Sequence, residues 1–169
     1  MKNKTTAINF DQEADMLYPT LNKVEELLKE YQMVPVFYEV LADYMTPIRM
    51  FQALRKEGTP CFMLESVENK DQWGRYSFIG INPKSEIKIS GKELEVDGVK
   101  QEEEFKMSYL SDLIEKYKSP VMEDYPKLTG GLIGYFGYDM IRQVEKKLTN
   151  VPEDDLKMPE CHLCMYDEI

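Results

Sequence analysis

The apolar positions of this chain change their period several times, and each change predicts an element. Across residues 20–31, Leu21, Val24, Leu27, Leu28 and Tyr31 share one face of a 3.6-residue repeat while Glu25, Glu26, Lys29 and Glu30 take the other. That is an amphipathic helix beginning near Thr20. Pro35 ends it, and residues 34–40 have the β-branched and aromatic content of a strand whose proline sits at its first residues or on an edge. Thr46-Pro47 predicts a second helix, because a Thr N-cap accepts from an orphan amide and Pro at the first helical position loses no hydrogen bond. Ile48, Phe51 and Leu54 then carry the apolar stripe towards Gly58.

From Pro60 the period falls to two. Residues 61–66 and 76–81 are predicted strands, and Ser85-Glu86-Ile87-Lys88-Ile89-Ser90 alternates strictly before Gly91-Lys92 turns the chain into Glu93-Leu94-Glu95-Val96. A hairpin of this kind belongs to an antiparallel sheet with one wet face. Residues 107–117 return to helical spacing through Leu110, Leu113, Ile114 and Tyr117. After a turn-rich passage, residues 130–140 predict a buried strand running into a short helix through Arg142 and Val144, and Cys161-His162-Leu163-Cys164-Met165-Tyr166-Asp167-Glu168-Ile169 predicts a last strand. Helices and antiparallel strands together make an α+β chain.

Composition narrows the class. A chain of 169 residues, 43% of them hydrophobic, has the length of one domain and the means to bury roughly two thirds of its unfolded surface. With 31 acids against 21 bases and a formal charge of −10, it lacks the clustered cations that nucleic acid or an anionic membrane surface requires. Cysteines at 61, 161 and 164 are too few and odd in number for a disulfide framework, and no apolar run of signal-peptide length follows Met1. Both point to the cytoplasm. The longest apolar stretch, residues 130–140, contains Asp139 and is roughly half of what a membrane span needs. The last residues form an apolar strand that stops on Ile169 without a polar tail. We therefore expect the front part of a longer polypeptide, with an exposed apolar patch or self-association as the corollary.

Candidate chemistry is sparse. Gly131, Gly134 and Gly137 recur every third residue, but neither a dinucleotide fingerprint nor a Gly-Lys-Ser/Thr ending is present. Glycines so placed mark the close passage of another backbone or a large side chain. Cys161, His162 and Cys164 have metal-ligand spacing without a fourth ligand in sequence reach, and His162, the single histidine, has no nucleophile elbow near it. Glu102-Glu103-Glu104 and Glu153-Asp154-Asp155 are charge runs beside turn signals, expected on solvated faces. The remaining block lies between Pro60 and Pro83, where Glu65 and Ser66 leave one predicted strand and Arg75 enters the next. Glu65 suits an ammonium group, Arg75 a carboxylate, and Ser66 a hydrogen bond to either. A mutual Glu65–Arg75 salt bridge between neighbouring strands accounts for the same residues.

A resemblance separates these two readings. Phe62-Met63-Leu64-Glu65-Ser66, then Gly74-Arg75-Tyr76-Ser77-Phe78-Ile79-Gly80, then Gly130-Gly131-Leu132-Ile133-Gly134-Tyr135-Phe136-Gly137-Tyr138-Asp139 resemble the amino-terminal region of anthranilate synthase component I. Thr46-Pro47 and the following Phe51-Gln52-Ala53-Leu54-Arg55 extend the match, so that it covers about residues 34–169. The resemblance implies part of a two-sheet α/β/β/α sandwich with its helices on the outer face, truncated before the catalytic part. It implies an enzyme that forms anthranilate and pyruvate from chorismate with Mg²⁺ and with ammonia released from glutamine by a partner amidotransferase subunit. Catalytic and Mg²⁺-binding residues of that family lie in the later part of the chain, so none is carried onto these positions and no metal is expected here. The family's L-tryptophan feedback site is carried over in part, onto Leu64, Glu65 and Ser66 and onto Gly74, Arg75 and Tyr76. Aminodeoxychorismate synthase component I shares the fold and is the related alternative, distinguished by its product. A free-standing amino-acid-binding or interaction module is the alternative of another class.

Overall fold

A computed structural model describes residues 17–65, 76–123, 125–145, 147–148, 150 and 154–169. The architecture is α+β, and every strand pair in it is antiparallel. At the amino-terminal side β1 (Leu17–Tyr18) pairs with β2 (Phe37–Tyr38). The helix α1 (Leu21–Leu27) lies between them in sequence, capped by the backbone of Thr20. Tyr125 stacks on Tyr18 at 4.7 Å and on Phe37 at 4.1 Å between ring centroids. Of the strand expected over residues 34–40, only Phe37 and Tyr38 pair.

Helix α2 (Pro47–Leu54) starts where Thr46-Pro47 predicts, and the Arg49 amide donates to Thr46 Oγ1 at 3.3 Å. It stops four residues short of Gly58, with Arg55 already extended at ψ 138°. The reason is visible in the sequence: Arg55-Lys56-Glu57 offers no apolar side chain to continue the stripe. The hairpin strands β3 (Phe62–Glu65) and β4 (Ser77–Gly80) follow, with Phe62 opposite Gly80 and Glu65 opposite Ser77.

The centre of the protein is a five-stranded sheet. Its strands are β5 (Ser85–Ser90), β6 (Glu93–Val96), β7 (Val99–Lys100), β8 (Gly131–Phe136) and β9 (Cys161–Tyr166), in the spatial order β7-β6-β5-β9-β8. Gly91, at φ 56°, opens the two-residue turn between β5 and β6. Asp97 and Gly98, at φ 52° and 77°, make the next turn, between Val96 and Val99. Two positive φ values in succession are the type I′ hairpin that Asp-Gly favours, and this turn adds β7, a strand beyond those expected from alternation.

Strict alternation then decides what is buried. Ile87 and Ile89 point to one face and meet Cys161 and Leu163 of β9, Leu94 of β6, Phe105, Leu110 of α3 (Ser108–Lys116) and Met140 of a 3₁₀ helix (Tyr138–Gln143). Ile87, Ile89 and Cys161 are at most 1% exposed. The strand β8, expected to be buried, is instead the sheet's edge strand and is largely exposed, with Phe136 at 58%. Its neighbour β9 holds the interior position and is buried at every position but His162, so the best-covered strand is the one with cysteines rather than the one rich in glycine.

Candidate functional site

The β3–β4 pairing brings Leu64 and Glu65 to the same end as Tyr76. Register pairs Leu64 with Phe78 and Glu65 with Ser77, so the chain leaves β3 and re-enters beside β4 at Tyr76. Ser66, Gly74 and Arg75 lie outside the described residues. Alternation separates what remains into two faces. Leu64 and Phe78 share one face, and the Tyr76 ring lies 6.0 Å from that of Phe78. Glu65 and Ser77 share the other. Leu64 and Tyr76 are 45% and 41% exposed, which leaves an open apolar surface beside an acidic strand end.

The opposite end of the hairpin is fixed. A Cβ on Gly80 would run into the Phe62 ring, so glycine there lets that ring lie flat across β4. Phe62 in turn meets Tyr166 of β9 edge-on, 4.8 Å between centroids and 78° between planes, a favourable aromatic geometry. Asn82 adds a polar tie, accepting from Lys56 Nζ at 3.2 Å and donating to Glu168 Oε2 at 3.1 Å. The hairpin is therefore held against β9 at its Phe62–Gly80 end, while the half-exposed Leu64 and Tyr76 mark its other end.

A second group of functional side chains lies on the polar face of the five-stranded sheet. Glu86 and Lys88 alternate with the core isoleucines on β5, and register places Glu86 opposite Cys164 and Lys88 opposite His162 on β9. His162 Nε2 lies 2.6 Å from Glu86 Oε1, and Cys164 Sγ lies 4.0 Å from the same nitrogen. Lys88 Nζ is 3.3 Å from Glu86 Oε2 and 3.8 Å from Glu95. Partial burial works to raise the Glu86 carboxyl, but hydrogen bonds from Lys88 and His162 outweigh it and hold the group below its ordinary value. Burial pushes the Cys164 thiol up, with Glu86 adding to it. On the other face burial pushes Cys161 up to about 11.

The spacing of Cys161, His162 and Cys164 is thus divided by the sheet. Cys161 faces the core, while His162 and Cys164, two residues apart, share the polar face. Glu86 completes their cluster from β5, a partner no local motif reveals. The glycine triplet is structural where it can be assigned: a Cβ on Gly134 would meet the His162 carbonyl, and one on Gly137 would come to 2.9 Å of the Glu160 carbonyl. Both are places where the backbone of β9, or of the residue just before it, passes closely. Glu102, Glu103, Glu104, Asp154 and Asp155 are exposed, as charge runs beside turns should be.

No protein-family model matches the chain. It is 42% identical over 164 residues to anthranilate synthase component 1 of Acetivibrio thermocellus, covering 91% of this chain and 32% of that protein. With anthranilate synthase alpha subunit 2, chloroplastic, of Arabidopsis thaliana it shares 33% identity over 171 residues, covering 92% of this chain and 28% of that one. The crystal structure of anthranilate synthase component I from Streptococcus pneumoniae TIGR4 is 29% identical, with a TM-score of 0.46 and coverage of 77% of this chain and 28% of that one. The chain spans less than a third of the length of these curated relatives.

Proposed function

The chain belongs to the anthranilate synthase component 1 family, of whose members it spans about a third, and from that premise we propose that it is the amino-terminal, regulatory segment of an anthranilate synthase. The whole enzyme forms anthranilate and pyruvate from chorismate and ammonia in tryptophan biosynthesis, in the cytoplasm, with a glutamine amidotransferase subunit as the ammonia source. Chorismate and Mg²⁺ are held by the remainder of such an enzyme, so this segment alone is inactive. Among the described residues the cluster of adjacent donors is Glu86, His162 and Cys164. Thiol and imidazole do not fit the oxygen shell that Mg²⁺ takes.

The segment's own contribution is half of an L-tryptophan feedback site. The observation that carries this reading is the β3–β4 register, which sets Glu65 opposite Ser77 and so brings Leu64 and Glu65 to the same hairpin end as Tyr76. In the proposal Glu65 and Ser66 receive the ammonium, Arg75 the carboxylate with the chain at Gly74, and Leu64 and Tyr76 supply apolar wall for an indole. Charge-assisted hydrogen bonds of this kind contribute about 1.5–3 kcal/mol each. Inhibition is then a population shift, and its coupling is no larger than tryptophan's differential affinity for the two states.

The test uses the full-length enzyme carrying Ser66→Phe. Turnover without tryptophan stays near wild type, while half-inhibition requires about tenfold more tryptophan or more, the equivalent of one lost charge-assisted hydrogen bond. Wild-type sensitivity in that variant overturns the site. A wild-type enzyme that makes no anthranilate from chorismate overturns the family activity instead.

A further inference from the structure

We propose that Glu86, His162 and Cys164 form a binding site for one Zn²⁺-class divalent ion on the polar face of the five-stranded sheet. One ligand atom from each residue lies within 4.8 Å of the other two. The set comes from two neighbouring strands of the sheet's centre, β5 and β9, whose register places Glu86 directly opposite Cys164. The donors are one carboxylate oxygen, one imidazole nitrogen and one sulfur. That combination suits zinc, with water completing a tetrahedron in the manner of three-ligand open sites.

Two of the three ligand separations are close to what a metal would need, and the third is within 4.8 Å. Around tetrahedral zinc, with ~2.0 Å to nitrogen or oxygen and ~2.3 Å to sulfur, ligand atoms stand about 3.3–3.6 Å apart. The His162 Nε2 to Cys164 Sγ separation of 4.0 Å closes a little, and the 2.6 Å Nε2 to Glu86 Oε1 contact opens by under an ångström. A turn of the Glu86 carboxylate achieves the second change. The hydrogen bond between Glu86 and His162 marks where the ion replaces a proton. The Tyr135 ring stands edge-on to the imidazole, 6.1 Å between centroids, and restricts its swing. Cys164 is 6% exposed, so its sulfur sits at the dry side of the site while His162 and Glu86, with side chains 29% and 31% exposed, leave the other side open to entry. Lys88 is the competing cation, and Glu95 at 3.8 Å offers it another partner.

The alternative is a hydrogen-bonded pair, Glu86 with His162, on a wet sheet face beside an inert thiol. Titration of the chelator-treated, dialysed chain decides between them. Zn²⁺ alone in a calorimeter is expected to bind one ion per chain, and Co²⁺ to give a thiolate-to-metal charge-transfer band in the near ultraviolet. Cys164→Ser abolishes the band and weakens Zn²⁺ about 100-fold or more, at or above the loss from a disturbed outer-shell partner. His162→Gln, at a half-open position, weakens it similarly, while Glu86→Gln weakens binding but keeps the band. Cys61→Ser changes nothing, and Mg²⁺ does not compete. Far-ultraviolet circular dichroism establishes that each variant is folded. A folded wild-type chain without the band overturns the proposal, as does Zn²⁺ affinity unchanged in both Cys164→Ser and His162→Gln, or a band lost in Cys61→Ser. None of these readouts depends on chorismate chemistry or tryptophan.

Discussion

Helices α2 and α3 are nearly the same length, eight and nine residues, and both carry an apolar stripe, yet they sit in two regions that use it differently. On α3 Leu110 is buried against Ile87 and Ile89, and Leu113 and Tyr109 pack around it. Helix α2 buries no residue, and Ile48 remains 51% exposed. The contrast extends beyond the helices. Among the described residues from 17 to 79, Pro19 alone is buried, whereas β9 buries five of its six positions. Amphipathic periodicity states which face of an element wants cover. Only a neighbouring element with a matching face supplies it, and the five-stranded sheet supplies it to α3 but not to α2.

The largest effect that tests this contrast is a matched pair of truncations. Ile89→Ala removes a side chain with 0% exposure from the middle of the sheet and is expected to lower unfolding free energy by about 2–5 kcal/mol. Ile48→Ala, on the open face of α2, is expected to cost no more than about 0.5 kcal/mol. Urea midpoints at constant m-value read both. Equal losses would mean that the α2 stripe is covered after all, and the contrast would fail.

Next in size is a pair of glycines. The obstacle to a side chain at Gly134 is the His162 carbonyl, part of the β9 backbone, whereas at Gly80 it is the Phe62 ring. A ring can turn aside; a paired strand cannot without breaking its ladder. Gly134→Ala is expected to cost about 1–3 kcal/mol, the range for overpacking, and Gly80→Ala less, with the Phe62–Tyr166 contact as its main loss. A Gly80→Ala variant as unstable as Gly134→Ala would show that the hairpin is seated as rigidly as the sheet.

Legibility in the sequence follows the same division. Residues 85–96 could be placed from alternation and the Gly91-Lys92 turn alone, since a hairpin's pairing is local and its register follows from the turn. Thr46-Pro47 gave the start of α2 for the same reason. The burial of β9 and the exposure of β8 were not legible, because they depend on the sheet order, which brings residue 87 to residue 163. Of the carried-over feedback residues, Leu64, Glu65 and Tyr76 fall at one hairpin end, but Glu65 is on the opposite face from Leu64, a separation that the run Leu-Glu-Ser conceals until it is written as a strand. The partnership of Glu86 with His162 was not legible either, because the two positions are 76 apart in sequence.

The smallest expected effect concerns the polar face of the same sheet. Glu86 is held below its ordinary carboxyl value of 4.5, the hydrogen bonds from Lys88 and His162 outweighing the partial burial that works the other way. A carboxyl whose folded value is depressed binds a proton more readily in the unfolded chain. Its contribution is therefore complete above about pH 4.5 and disappears as the pH falls through the lower, folded value. Glu86→Gln removes that contribution at neutral pH, and with a side chain 31% exposed the loss is expected to stay below about 1 kcal/mol. Between pH 6 and the acid limb the variant's stability should fall less steeply than the wild type's, so the two curves converge as acid protonates Glu86. Parallel curves in urea titrations across that range would mean that Glu86 titrates alike in both states. The polar face would then resemble the open amino-terminal region, where exposed charges meet water, rather than the packed sheet on whose other side Ile87 and Ile89 are buried.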